Sequence, residues 1–478
     1  GEPLAVVVAE TAYQAADAVE SVWADVEPLT AVVSLDDAVA AETVLFPDRD
    51  DNVMWQIPSA GAIDFSGCEV VVTEKLWNSR VAAVSIEPRV VAASFADGKL
   101  TYWASSQGTH DFRDGAAKCL GMDPADVRVL VKDVGGGFGA KGMISEEEVI
   151  VGQLARLIGR PVRWVESRTE NLSAYVHGRA QAQTVTIGGT RDGRVTHYRL
   201  DVVQDCGAYP KWGAFLPEFT RQLASGVYDI ANLEFSAVSV ATNTAPTCAY
   251  RGAGRPEATA AIERAMDLFA AEVGMDVADV RRVNLLASEA FPYTTPTGTS
   301  MDSGDYEGSL DRALAAVDYA GLRAEQKRRR EAGDPVQMGI GVATYVEITG
   351  FGGSEYGEVR LRSDGTVLAS TGATPIGTGH HTTWAMIVAD RLGVPLDSIE
   401  VFHGDTESIP SGSTTGGSRS VQIAGSAMAD ASEKLVELAR DAAADLLEAA
   451  PGDVVLDRER GAFHVAGTPA VARSWAEI

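Results

Sequence analysis

The residues best suited to chemistry lie in Asp133-Val134-Gly135-Gly136-Gly137-Phe138-Gly139-Ala140-Lys141. This run closes an apolar stretch, 127–134, and precedes a helical pattern that opens at Ser145. Glycines after a strand let the backbone turn sharply and present bare N–H groups to a ligand. Phe138 is out of place in a plain phosphate cradle, so the loop reads as a site with an apolar wall. A dinucleotide loop is the rival reading, because Gly135-x-Gly137-x-x-Ala140 has the required spacing and the strand 162–165 is followed by Glu166. Such a loop runs directly into a helix whose N-terminus receives the pyrophosphate, whereas Lys141 to Ile144 intervene here. Lys141 also lacks the preceding Gly and following Ser or Thr of a Walker loop.

The elements that must position this loop come at regular intervals. Residues 1–34 read as strand, helix, strand (4–9, 12–22, 30–33), and 41–65, rich in Asp, Pro and Gly, as a linker. Strands are expected at 69–73, 90–94, 100–104, 127–134, 162–165, 182–187, 196–204 and 234–241, and helices at 111–120, 145–157, 255–273 and 277–284. Ser145 and Glu148 form a capping-box pair, and Gly121 suits a helix C-terminus. A helix over 309–332 and a boundary at 333–336 lead to a third region. It has strands at 339–345, 357–361, 367–370 and 399–403 and helices at 382–392 and 422–447. The fold class is α+β, with two bodies that each carry a glycine-rich loop before a helix. Residues 472–478 read as the start of another helix, and both ends read as cut from a longer chain.

With 478 residues, 45% hydrophobic and 22% charged, the chain has material for more than one core. Forty basic against 67 acidic side chains give a net charge of -27, which repels phosphate backbones and argues against nucleic acid as a partner. The four cysteines are far apart and show no CxxC spacing, which supports neither a disulfide framework nor a zinc or iron–sulfur site within the chain. Cys68, Cys119 and Cys206 are expected to be buried thiols. No apolar run reaches the ~18 residues of a membrane span.

Four features then coincide in order. They are Gln107 in Ala104-Ser105-Ser106-Gln107, the loop Gly135 to Gly139, the run Ala249-Tyr250-Arg251-Gly252-Ala253-Gly254-Arg255-Pro256-Glu257, and Gly377-Thr378-Gly379-His380 with Gly416-Gly417-Ser418-Arg419-Ser420. Together they resemble the molybdopterin-binding large subunit of the xanthine oxidase family, in its form II carbon monoxide dehydrogenase-like branch. The opening Gly1-Glu2-Pro3-Leu4-Ala5-Val6-Val7-Val8-Ala9-Glu10 resembles the end of that family's hammerhead domain. The resemblance implies the C-terminal part of an α/β hammerhead over 1–40 and a linker over 41–65. A first molybdopterin-binding domain over 66–333 and an incomplete second over 334–478 follow.

By the same resemblance, Gln107 is the glutamine that donates to the molybdenum oxo group, and Gly137, Phe138 and Gly139 pass over the metal. Arg251 lies beneath the cofactor. Gly377, Thr378, Gly379 and His380, with Ser418, Arg419, Ser420 and Val421, hold the pterin and its phosphate. These types suit the work: N–H groups and hydroxyls bind a phosphate, and an amide donates without adding charge. Thr378 stands where many relatives have glutamine. His380 and His381, taken as an extended loop, point apart, so no metal is assigned to direct protein ligation. Glu355, before the strand 357–361, has a structural role.

Phe138, Gly142, Gly252 and Ala253 are implied in the substrate pocket. Carbon monoxide dehydrogenases of the family carry a copper-binding cysteine where this chain has Gly252, and Cys248 lies four residues away. Xanthine-type enzymes have a glutamate at the place of Gly142, and relatives often have an aromatic at Ala253. An aldehyde or N-heterocycle is therefore the expected substrate. An aerobic carbon monoxide dehydrogenase and a catalytically inactive assembly partner are the alternatives. The implied cofactor is molybdenum on molybdopterin, as the cytosine dinucleotide, with [2Fe-2S] clusters and FAD on small and medium partner subunits. A dimer of heterotrimers in the cytoplasm is implied, with the general-base glutamate outside this segment.

Overall fold

The computed structural model describes residues 2–350 and 352–478. The chain divides into two compact units that cut across its linear order: Ala5–Ala82 with Ala174–Glu347, and Glu2–Leu4 with Ala83–Ser173 and Ile348–Ile478.

The first unit is built on a five-stranded sheet in the order Val53–Ile57, Asn232–Val240, Val195–Asp205, Gln181–Gly189, Val70–Asn78. Val195–Asp205 and Asn232–Val240 run parallel, and the other pairs are antiparallel. The helix Arg255–Val273 lies on this sheet. Ala258, Ala261, Ile262, Ala265, Met266, Phe269 and Ala270 recur at helical spacing on its buried face, and the small residues among them let it approach the strands closely.

In the second unit, Val127–Leu130, Lys99–Ala104, Val90–Ala96 and Val162–Val165 form a four-stranded sheet, and Gly357–Leu361, Val367–Thr371 and Ile399–Phe402 a three-stranded one. Each sheet contains one strand–helix–strand crossover with parallel strands. Thr109–Leu120 joins Lys99–Ala104 to Val127–Leu130, and His380–Leu392 joins Val367–Thr371 to Ile399–Phe402. A bridge between Leu130 and Asp405, and two hydrogen bonds from Arg128 to Asp405, tie the two sheets together. In such crossovers the turns at the carboxyl ends of the strands are where ligands bind. Gln107 and Gly377–Gly379 occupy those two turns.

The helices Arg255–Val273 and Val277–Asn284 and the strands Val162–Val165 and Gly357–Leu361 fall where the sequence places them. Several expectations are corrected. Residues 4–9 and 30–33 are not strands: Leu4, Val6, Val8 and Val33 are exposed, and no ladder among the described residues includes them. The helix between them is Ala12–Val19. Residues 339–345 are extended with alternating exposure but join no ladder. The helix expected over 309–332 is two, Tyr306–Ala316 and Tyr319–Glu331, parted at Asp318 with φ +47°. Ala472–Ser474 is a strand rather than a helix start, and the strand expected to reach Val134 ends at Leu130. Val53–Ile57, inside the stretch read as a linker, is an edge strand. Cys119 is exposed and Cys68 half-buried, not buried as expected.

One packing contact gives a test. Gly152 lies in the helix Glu146–Ile158, where alanine normally adds about 1 kcal/mol of helix stability. A Cβ there would fall on the buried Tyr102 hydroxyl, 2.5 Å from its Cζ, and overpacking of this kind costs about 1–3 kcal/mol. Gly152→Ala is expected to lower stability in a denaturant melt by up to about 2 kcal/mol, the difference of the two effects. A gain in stability would refute the contact.

Candidate functional site

Gln107 follows the strand Lys99–Ala104 and is 2% exposed. Its Oε1 accepts from Gly139 N at 2.9 Å, and its Nε2 donates to Thr415 O at 2.7 Å. Backbone bonds run alongside, from Gln107 N to Lys141 O and from Thr415 N to Gln107 O, both 2.9 Å. One side chain thus fastens the glycine loop to the segment 413–415. Gly137 is glycine for the same reason, since a Cβ there would lie 2.6 Å from Gln107 Cγ. Gly136 and Gly139 are glycine for another, at φ +100°. Phe138 also takes a positive φ, +55°, and is 40% exposed, so its ring is not part of the core. A short turn at Ala140–Gly142 separates the loop from the helix that Ser145 and Glu148 cap.

Lys141, 4% exposed, anchors the loop from behind. Its Nζ donates to Glu87 O at 2.8 Å, Glu87 Oε2 at 2.9 Å and Ser105 Oγ at 2.6 Å. The same carboxylate oxygen accepts from Ser105 Oγ at 2.7 Å and Gly135 N at 2.8 Å. Burial would raise the Glu87 pKa, but donation from Lys141, Ser105 and Gly135 holds it below the ordinary carboxylate value. Burial pulls Lys141 down from its usual value, and Glu87 opposes the shift. With three acceptors around it, Lys141 is an ammonium whose donors are all spent on the protein.

On the other crossover, Gly377 and Gly379 sit at φ +89° and +74°, and both they and Thr378 are exposed. The helix begins at His380, two residues earlier than expected. The His380–His381 pair is therefore helical, which corrects its reading as an extended loop. His380 is 8% exposed, stands 4.9 Å from the Trp384 ring, and its Nδ1 has no hydrogen-bond partner among the described residues. Burial lowers its pKa and keeps the ring neutral. The His381 ring lies 4.7 Å from that of His403. Burial, then His381 and Lys132, push His403 down to about 4.

Ser418 takes φ +53°, and Ser420–Gly425 is a π-helical turn leading into the helix Ser426–Leu447. Such turns concentrate at functional sites. Glu355, Ser413, Thr414, Thr415, Arg419 and Ser420 line a narrow crevice. Among the described residues, the Arg419 side chain makes one long bond, 3.4 Å to Ser354 O, and Val421 is exposed. Glu355 accepts from Ser413 N and Oγ at 3.3 and 2.9 Å, the structural part expected of it. Hydroxyls, a lightly used guanidinium and an orphaned imidazole nitrogen form a donor set that fits an anionic, phosphate-bearing pterin.

Gln107, Gly137 to Gly139, Gly142, Gly377 to His380 and Ser418 to Val421 belong to the second unit, and Arg251, Gly252 and Ala253 to the first. Arg251 is exposed. Cys248 is buried, and burial raises its thiol pKa. Sequence reasoning missed Glu87, Ser105 and Thr415 and gave Lys141 no role. Lys141 was findable as the first cation after the loop, whereas nothing marks Glu87, 54 residues upstream, as its partner. Among the described residues, no group of three or more His, Cys, Asp and Glu stands close enough to hold a metal ion, and no helix is long and apolar enough to cross a membrane.

Known proteins share this fold. Residues 45–285 and 312–478 each match a molybdopterin cofactor-binding domain. The chain belongs to that family, the molybdenum cofactor-binding domains of the xanthine oxidase type. It is 35% identical to the carbon monoxide dehydrogenase large chain of Hydrogenophaga pseudoflava, over all of this chain and 64% of that one. It is 32% identical to the nicotine 6-hydroxylase large subunit of Paenarthrobacter nicotinovorans, over 96% of this chain and 58% of the relative. The fold superposes on quinoline 2-oxidoreductase from Pseudomonas putida 86 with a TM-score of 0.91 at 30% identity, covering 98% of this chain and 62% of the other. The chain thus spans less than two thirds of the length of these relatives.

The Lys141 cluster sets a pH-dependent stability. Because the folded state depresses the Glu87 pKa, its contribution is complete above the ordinary carboxylate value of 4.5 and is lost as pH falls through the lower folded value. Glu87→Gln is expected to destabilise the chain at pH 7 by about 1–3 kcal/mol. That is less than the 3–5 kcal/mol for a fully buried pair, because the carboxylate is 31% exposed. The gap between variant and parent should narrow below pH 4.5. Denaturant melts at pH 7 and 4 check this, and a gap that widens in acid would contradict the assignment.

Proposed function

We propose that this chain is the cofactor-bearing part of a molybdenum hydroxylase large subunit that oxidises an aldehyde or an N-heterocyclic carbon with water-derived oxygen. When bound, the molybdenum centre supplies the two-electron oxidation that accompanies this oxygen transfer. The chain's own residues bind and orient. Gln107 gives one N–H to Thr415 and keeps the second for the cofactor's oxo group. Ser418, Arg419, Ser420 and Val421, with Gly377, Thr378, Gly379 and His380, would hold the pterin and its phosphate, and Arg251 is assigned to the same cofactor. Phe138 offers an exposed ring as a pocket wall, and Gly142, Gly252 and Ala253 are assigned to substrate contact as well.

The observation that decides against carbon monoxide as substrate is Gly252. Its φ is +97°, and a Cβ would lie 2.6 Å from Pro256 Cδ, so this backbone has no room for the copper-binding cysteine of a carbon monoxide dehydrogenase. Cys248, buried and held as a thiol, is no substitute. Relatives named for nicotine and quinoline oxidation support an N-heterocycle. The identity to carbon monoxide dehydrogenases favours the second reading, which Gly252 opposes.

The cofactor is assigned as the cytosine dinucleotide form. The [2Fe-2S] clusters and FAD are assigned to partner subunits, because the four cysteines here are scattered. A dimer of heterotrimers in the cytoplasm completes the assignment, with the general-base glutamate outside these residues.

Metal analysis of the purified complex should give about one molybdenum per chain and no copper, with dye-linked turnover of aldehydes or N-heterocycles. Equimolar copper would establish the second reading, and absence of molybdenum would sink both. Phe138→Ala should leave molybdenum content intact and change relative kcat/KM between substrates by about 10-fold or more, the scale of a lost apolar wall. Parallel loss of metal and activity would make Phe138 a cofactor residue instead.

A further inference from the structure

The run Tyr250 to Gly254 lies in neither strand nor helix, yet Gly252, Ala253 and Gly254 are held at φ +97°, +44° and +86°. Arg179 is what holds it. One guanidinium nitrogen donates to Tyr250 O at 3.0 Å, the other to Arg251 O at 2.6 Å, and the group lies 5.0 Å over the Tyr250 ring. Arg255 Nε takes the next carbonyl, Gly252 O, at 2.6 Å. Three successive carbonyls are therefore capped by guanidinium groups.

In a trans peptide the C=O and the following N–H point in opposite directions. Fixing the Tyr250 and Arg251 carbonyls on Arg179 turns the N–H groups of Arg251 and Gly252 to the other face. The orientation of two consecutive peptide units is thus set by one side chain.

Arg179 is itself placed with care. It and Ala180 both adopt left-handed φ, +65° and +68°, between the strands His177–Gly178 and Gln181–Gly189. Such a pair persists only where the surroundings over-determine it. Glu257, in the first turn of Arg255–Val273 and fully buried, faces the guanidinium at 3.5 Å. Burial raises the Glu257 pKa and the Arg179 charge opposes the shift. The strained turn aims Arg179, and a buried carboxylate keeps it there.

We propose that Arg179 is the positioning residue of the loop Tyr250–Gly254, with Glu257 as its counter-charge. Its clamp sets the surface that Gly252 and Ala253 present to substrate. The consequence for substrate choice rests on the molybdenum hydroxylase reading; the clamp itself does not.

The test uses Arg179→Met, Arg179→Lys and Glu257→Gln in the full-length subunit within its complex. Hydrogen exchange over 248–256 reports the clamp, because Ala253 N–H is protected by Tyr250 O at 2.7 Å. Exchange there should quicken at least 10-fold in Arg179→Met, less in Arg179→Lys and Glu257→Gln, with other segments unchanged. With parent-level molybdenum, the kcat/KM ratio between a bicyclic N-heterocycle and a small aldehyde should shift at least 10-fold in Arg179→Met, and less in Arg179→Lys. Unchanged loop exchange, or exchange raised throughout the first unit, would overturn the clamp. Faster loop exchange with an unshifted ratio would overturn the role in selectivity. A parent complex without molybdenum would remove the functional reading alone, and the exchange measurement would still decide the clamp.

Discussion

The Gln107 side chain is the constraint on which the second unit's site depends. Its amide joins Gly139 of the glycine loop to Thr415 of the segment leading to the π-helical turn. Each bond contributes only about 0.5–1.5 kcal/mol net, but losing the buried side chain would strand a donor and an acceptor at about 1–3 kcal/mol each. The loop glycines follow from this bridge. Gly137 must lack a side chain because Gln107 fills that space, and Gly136 and Gly139 must turn at +100° to bring the chain past it. A motif that resembles a phosphate cradle on spacing is, in three dimensions, wrapped around a glutamine.

That geometry decides where positive character for an anionic ligand comes from. Lys141 looks like a phosphate lysine in the sequence, but its three N–H groups all point to Glu87 and Ser105. Its charge is spent on Glu87, the carboxylate that also receives Gly135 N. What remains for a ligand is hydroxyls, Arg419 and the N-terminal turn of the helix His380–Leu392, where burial keeps the His380 ring neutral. In a chain with net charge -27, anion binding by oriented dipoles rather than by a cation cluster does not depend on long-range attraction.

The sequence was legible where pattern and local chemistry agree. Helix Arg255–Val273 has apolar periodicity, Pro256 in its first turn and Gly274 at its end, and its bounds were readable. The glycine loop was legible as a site because its glycines lie beside an aromatic that serves no core. Strand pairing was the opaque part. Residues 4–9 are a continuous apolar run and 339–345 read as a strand too, but a strand exists only with a partner, and the local pattern does not carry that information. The edge strand Val53–Ile57 was hidden between Asp51-Asn52 and Pro58 for the converse reason, its partner Asn232–Val240 lying far away in sequence. Glu87 and Arg179 escaped notice because charged residues acquire meaning only through the atoms they meet.

The small residues assigned to the substrate wall do not carry equal information. At Gly252 the positive φ and the proximity of Pro256 require glycine whatever the substrate, so its identity excludes a cysteine ligand and says little more. Ala253 holds φ +44°, a conformation that costs an L-residue on the order of 1–2 kcal/mol. An alanine kept there against that cost points to a limit on side-chain size in both directions. Gly142 is different: its φ is not in the left-handed region, and an added Cβ would meet only Thr414 Cγ2, at an ordinary 3.6 Å. Neither backbone nor space demands glycine at 142. Of the positions assigned to the pocket, Gly142 is therefore the one whose missing side chain bears most directly on the substrate, because no feature of the fold accounts for it.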